Sequence, residues 1–139
     1  MNRIKRDENI LQIPEIITKF PEFTHKTTEH EIRERIEGKD HDLFVIQDNS
    51  KPAGFLVAYN LDEKVYYNWI MGVLPEFRRK GFGRQLIKQF ESTAKIKGYT
   101  SVQVKTMEKF KGMQHLLTSL KYDKIGLDDK GKIILRKNL

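Results

Sequence analysis

The stretch from Val73 to Leu86, VLPEFRRKGFGRQL, constrains the fold more than any other part of the chain. It closes an apolar strand, turns at Pro75 and crosses a basic loop broken by glycines. It then enters a helix with Leu86, Ile87, Phe90 and Ala94 on one face. Gly98 suits the left-handed residue that ends such a helix. Val102 and Val104 alternate within 101–106, which predicts a further strand. Strand, helix and strand in this order form a βαβ unit, so the two strands should lie parallel. Ligands of such sheets bind beyond the carboxyl ends of the strands, which is where the basic loop lies.

The loop contains Arg78, Arg79, Lys80, Gly81, Phe82, Gly83 and Arg84. A helix N-terminus presents unpaired N–H groups and a partial positive charge. Glycines there let an anion approach the backbone. Four cations around one turn suit a pyrophosphate, or several phosphates on one ligand, better than a single small anion. The loop is neither a Walker A loop, for lack of the Gly-Lys-Ser/Thr ending, nor a Rossmann fingerprint, because Leu86 stands where the third glycine would be.

What remains is Arg78-x-x-Gly81-x-Gly83 preceded by Val73-x-Pro75. This resembles the pyrophosphate loop of the GNAT superfamily, the acetyl-CoA-dependent N-acetyltransferases. The elements around it agree. Residues 2–6 read as a first strand with Ile4 inward, and Asp7 or Asn9 as a cap. Ile10, Ile13, Ile16 and Ile17 recur at helical spacing, and Pro21 breaks that helix. Thr27 or Thr28 opens a second helix, with Glu31 three residues after Thr28 as a capping-box partner, and that helix ends at Gly38. Strands follow at 43–47, 52–60 and 64–73. In the last of these Val65, Tyr67, Trp69 and Met71 are expected on one face, and Tyr66 and Ile70 on the other. A helix at 109–119 and a hairpin at 123–136 complete the chain. The order β-α-α-β-β-β-α-β-α-β-β resembles the complete GNAT fold, with residues 1–139 as a single domain. That is an α/β (α+β) fold, a mixed central sheet with a splayed fourth and fifth strand pair and flanking helices.

Composition narrows the function. With 139 residues the chain can build one real core. It has no cysteine, which excludes disulfides, thiolate metal sites and a cysteine acyl-enzyme. No apolar run approaches a membrane span, and MNRIKRDENI is charged where a signal peptide would be apolar, so a cytoplasmic location is expected. The net charge of +7 favours anionic ligands. Coenzyme A fits that charge, whereas RNA binding is the weaker reading.

The resemblance implies acetyl-CoA as cosubstrate. It places the pyrophosphate on Arg78, Arg79, Lys80, Gly81, Phe82, Gly83 and Arg84, and the pantetheine along Ile70, Met71, Gly72 and Val73. A backbone N–H at the end of the fourth strand, that of Val73 or Met71, would polarise the thioester carbonyl. The family's usual tyrosine acid falls on Leu117 and a usual asparagine on Phe110, so the leaving-group step lacks its customary residue. His115 lies about 200° around the helix from that position. Base candidates are Glu63, Tyr66, Tyr67 and Glu22, with Glu63 and Tyr67 put forward as catalytic candidates that stand too far apart along the strand to touch the amine together. The plainer readings stay open, Glu63 as a turn carboxylate and Tyr67 as a core aromatic. The expected acceptor is a primary amine on a small molecule or on a protein or peptide. An acyl-CoA-binding module with little turnover and an aminoacyl-tRNA acetyltransferase remain the alternatives, and a homodimer is left open.

Overall fold

Asn49 and Ser50 adopt left-handed conformations, at φ 50° and 70°. Two such residues in succession build the tight turn whose twist matches a β-hairpin. They join β2 (His41–Asp48) to β3 (Lys51–Asn60). The computed structural model describes residues 2–6 and 12–139. The expected cap at Asp7 or Asn9, and Ile10, lie outside the described residues. The remaining elements are β1 (Asn2–Arg6), α1 (Gln12–Ile17), α2 (Glu29–Ile36), β4 (Val65–Val73), α3 (Phe82–Ile96), β5 (Ser101–Thr106), α4 (Lys111–Ser119), β6 (Asp123–Leu127) and β7 (Ile133–Asn138). A 3-10 turn at Pro75–Phe77 precedes α3.

The seven strands form one sheet in the order β1-β2-β3-β4-β5-β7-β6. β4 and β5 pair in parallel, as the βαβ reading requires, and every other pair is antiparallel. Two apolar layers cover it. On one face Phe82, Leu86, Ile87, Phe90 and Ala94 of α3 pack with Leu117 of α4 against Phe44, Leu56, Tyr66 and Val102. On the other, Ile13, Ile16 and Ile17 of α1 and Ile32 and Ile36 of α2 pack against Val45, Phe55, Val57 and Tyr67. α2 opens with the expected capping box: Thr28 Oγ1 accepts from the Glu31 N–H, and the Glu31 carboxylate accepts from the Thr28 N–H, each at 3.2 Å. No described helix is long and apolar enough to cross a membrane.

β4 departs from strict alternation. Ala58 faces Asn68 and Val57 faces Ile70, so Trp69 is an extra residue bulged out of the ladder. The bulge resets the phase. Trp69 and Ile70 both join the α1/α2 layer, and Met71 moves to the α3/α4 layer with Tyr66. The expected grouping of Met71 with Tyr67 and Trp69 therefore fails after Asn68.

The parallel ladder between β4 and β5 runs from Val65↔Ser101 to Asn68↔Val104 and stops. Beyond it, β4 follows β3 as far as Val73↔Gly54, while β5 follows β7 to Thr106↔Ile133. The two strands therefore part in a V whose apex is Asn68 and Val104. The closed end of β4 is tied down by polar groups. Tyr66 donates to Asp42 Oδ2 at 2.6 Å and Lys97 lies 2.8 Å from the same oxygen, with Arg6 on Asp42 Oδ1. Tyr99 and Lys97 also hold Asp40, at 2.6 and 2.7 Å.

Candidate active site

The open arm of β4 leads directly into the basic loop. Arg79 (φ 65°) and Gly81 (φ 80°) are left-handed, and Gly81 is the N-cap of α3. A left-handed cap favours glycine because a Cβ there costs roughly 1 kcal/mol or more. The Gln85 N–H donates to Gly81 O at 3.1 Å and closes the first helical turn. The N–H groups of Phe82, Gly83 and Arg84 precede that bond and face outward from the helix start. These amides, at the end of the V, make the loop a fit for a pyrophosphate.

The side chains of the loop divide by partner. Arg78 Nε donates to Val73 O at 2.9 Å, and Nη2 donates to Glu22 Oε2 at 2.5 Å. Arg78 thus clamps the loop to the end of β4 and to the segment after α1. Burial pushes the Glu22 carboxyl up, but the Arg78 hydrogen bond and charge outweigh it and hold it below the usual carboxylate range. Lys80 lies 3.2 Å from Asp48 Oδ2 and over the Phe77 ring. Arg84 donates to Ser119 Oγ of α4 at 3.0 Å. Arg79 is exposed and has no hydrogen bond or ion pair among the described residues. The four cations counted in the sequence are therefore two with acidic partners and two, Arg79 and Arg84, without. Phe82 is buried in the core, so only its backbone faces the anion site. Gly83 packs close to α4: a Cβ there would lie 3.3 Å from Leu116 Cδ2.

Along the arm, Ile70, Met71, Gly72 and Val73 are half-buried and paired to β3 alone. Their outer main-chain edge is free of β5 beyond Asn68. A Cβ on Gly72 would lie 2.6 Å from the Phe20 ring, so Gly72 lets Phe20 pack flat on the arm.

The two catalytic candidates lie apart, as their separation of four residues along the chain into β4 requires. Glu63 is exposed in the turn before β4, where Asp62 Oδ1 accepts from the Lys64 and Val65 N–H groups. Asn68 is five residues further along the chain, at most about 16 Å at 3.3 Å per step, and Glu63 lies on the closed side of the V. Tyr67 is buried and stands edge-on to Tyr59 at 5.4 Å. Burial pushes its hydroxyl up to about 12, with Tyr59 and Asp128 adding to the rise and Arg35 opposing it. Tyr66, another base candidate, is buried and donates to Asp42; burial and that carboxylate raise it far above its ordinary value. Leu117 is fully buried and His115 is exposed, so α4 offers no acid at the position the resemblance would use.

Several residues at the V were not singled out from sequence. Asn68 sits at its apex and Trp69 bulges just beyond. Arg35 of α2 lies over the Trp69 ring at 4.6 Å and donates to the Tyr59 hydroxyl at 3.3 Å. On the opposite arm, Lys105 lies 3.2 Å from Asp128 Oδ2. The other Asp128 oxygen accepts from the Lys130 and Lys132 N–H groups and builds the β6–β7 turn. The sequence signal for Asn68 was available: a lone amide inside the apolar run YYNWIMGV.

The profile described as the acetyltransferase (GNAT) family matches residues 10–122. The chain belongs to the GNAT acetyltransferase family. Solved structures agree on the fold. Ard1 from Thermoplasma volcanium superposes with a TM-score of 0.83 at 16% identity, over 99% of this chain and 97% of that one. The ribosomal-protein-S18-alanine N-acetyltransferase from Escherichia coli gives 0.82 at 17%, over 99% and 94%. A GNAT family acetyltransferase from Elizabethkingia anophelis, with acetyl-CoA bound, gives 0.79 at 18%, over 99% and 98%. No curated protein sequence matches the chain. As a GNAT acetyltransferase it is an acetyl-CoA-dependent enzyme, and the V with its helix N-terminus fits that cosubstrate.

Proposed function

We propose that this GNAT protein transfers the acetyl group of acetyl-CoA directly to a primary amine of a small molecule or of a protein or peptide. The parting of β4 and β5 at Asn68↔Val104, with the α3 N-terminus at the end of the longer arm, carries this reading. In it, the outer edge of Ile70, Met71, Gly72 and Val73 holds the pantetheine, and the amides of Gly81, Phe82, Gly83 and Arg84 hold the pyrophosphate. Arg79 adds charge, and Arg78 and Lys80 hold the loop in shape. The N–H of Met71 or Val73 supports the negative charge that develops on the thioester oxygen.

The acceptor enters from the α1/α2 face, past Trp69, Arg35, Lys105 and Asp128. A lysine-type ammonium has a pKa near 10.4, so about one in two thousand is neutral at pH 7. Neither Glu63, by position, nor Tyr67, by its raised pKa, takes that proton directly, so water at the mouth accepts it. Without cysteine the chain cannot pass the acetyl group through its own thiol.

The test is thiol release from acetyl-CoA against a broad panel of amines and amino-terminal peptides, alongside calorimetric titration of acetyl-CoA. Binding with acceptor-dependent thiol release supports the proposal, and acceptor-independent release counts against it. The full burial of Leu117 favours one other reading, a module that binds an acyl-CoA and turns over poorly. Tight binding with no release for any acceptor would establish it.

A further inference from the structure

Asparagine is poorly suited to the interior of an apolar strand, and a buried amide needs partners for both its oxygen and its nitrogen. Asn68 is 2% exposed, and its Oδ1 is buried without a hydrogen-bond partner among the described residues. Its Nδ2 donates to the Met71 sulfur at 3.1 Å, a weak acceptor. Other side chains with an unpartnered buried oxygen have a better second contact: Glu22 bonds Arg78, Glu91 bonds Lys137, and Asn60 bonds Asp62 O. Asn68 alone among these is left with sulfur.

Its position is equally specific. Asn68 is the last residue of β4 paired to β5, so its backbone marks where the V begins. It shares the phase of Tyr66, which stacks on Phe90 of α3, so its side chain is on the α3/α4 face of the sheet. Native proteins rarely leave such groups unsatisfied unless a ligand or water completes them.

We propose that the Asn68 side chain is a binding group for a secondary amide on the thioester arm of acetyl-CoA. This rests on the acetyl-CoA reading above. A secondary amide offers one N–H and one C=O, the complement of an asparagine side chain. Oδ1 accepts the N–H, and Nδ2 exchanges the Met71 sulfur for the stronger carbonyl acceptor. Asn68 is thereby a positioning residue: its side chain reaches toward Met71 and holds the last amide of the arm short of the apex, so that the thioester meets the outer edge of β4.

The experiment compares two ligands by calorimetry on the native protein and on Asn68→Leu. Acetyl-CoA carries the arm, whereas adenosine 3′,5′-bisphosphate has nucleotide phosphates but no arm. Asn68→Leu should weaken acetyl-CoA at least tenfold and leave adenosine 3′,5′-bisphosphate within twofold. Its melting temperature without ligand should be equal to or above that of the native protein, because an unpaired buried amide has been removed. Should that variant fail to fold, Asn68→Ala is read by the same ratio of affinities. Unchanged acetyl-CoA affinity, or an equal loss for both ligands, overturns the proposal while leaving the acetyl-CoA reading intact. A native protein that binds no acetyl-CoA overturns both.

Discussion

Gly72 has no room for a side chain. A methyl group at this position would press into the Phe20 ring, which stacks on Phe23 at 4.7 Å and so cannot easily move. Gly72→Ala should cost about 1–3 kcal/mol, the usual range for overpacking, as a lower urea midpoint with an unchanged slope. Glu63 is the opposite case, exposed in the turn before β4. Glu63→Gln should leave the acetyl-transfer rate within about twofold and the pH–rate profile unmoved, because the turn lies up to about 16 Å short of the V. A tenfold fall would show that the acceptor reaches around the closed end of β4. Residues of this kind were only partly legible in the sequence. Leu117 and His115 fell where helical spacing put them. The partners of the loop cations did not show, because Glu22 and Asp48 lie far from Arg78 and Lys80 along the chain.

At the scale of elements, the loop after α1 and the loop before α3 are held together by the Glu22–Arg78 pair. Because the Glu22 carboxyl is depressed in the folded protein, its contribution is present above its ordinary value of 4.5 and is lost as the pH falls through the lower folded value. Stability should therefore decline on acidification below about pH 4.5. Glu22→Gln should flatten that part of the curve and lower stability at neutral pH, as read by thermal melts from pH 3 to 7. An unaltered acid limb would mean the pair contributes nothing. Elements were also where the sequence reading went furthest. The capping box, the βαβ unit and both ends of β5 follow from local chemistry. The phase of β4 did not, since an extra residue in a ladder is defined by its partner strand, and YYNWIMGV alone reads as plain alternation.

Over the whole molecule, polarity is arranged along the sheet. One end of β4 is bound by Tyr66, Asp42, Lys97, Asp40 and Tyr99, and the other is left unpaired toward β5. The sheet can therefore hold open without the ladder unzipping toward the closed end. The order of elements made this architecture readable, but the point where the β4–β5 ladder stops, at Asn68↔Val104, has no local signal in either strand.

The bulge at Trp69 gives the protein an optical reporter of its own. The chain has one tryptophan, and it stands at the mouth of the V beneath the Arg35 guanidinium. Indole emission therefore comes from a single known place and responds to the polarity and charge around it. Addition of acetyl-CoA should shift or quench that emission with the same midpoint as calorimetry. An acceptor that displaces Arg35 from the ring should change it a second time. A spectrum that stays constant while calorimetry shows saturation would mean that neither the arm nor the acceptor passes beside Trp69.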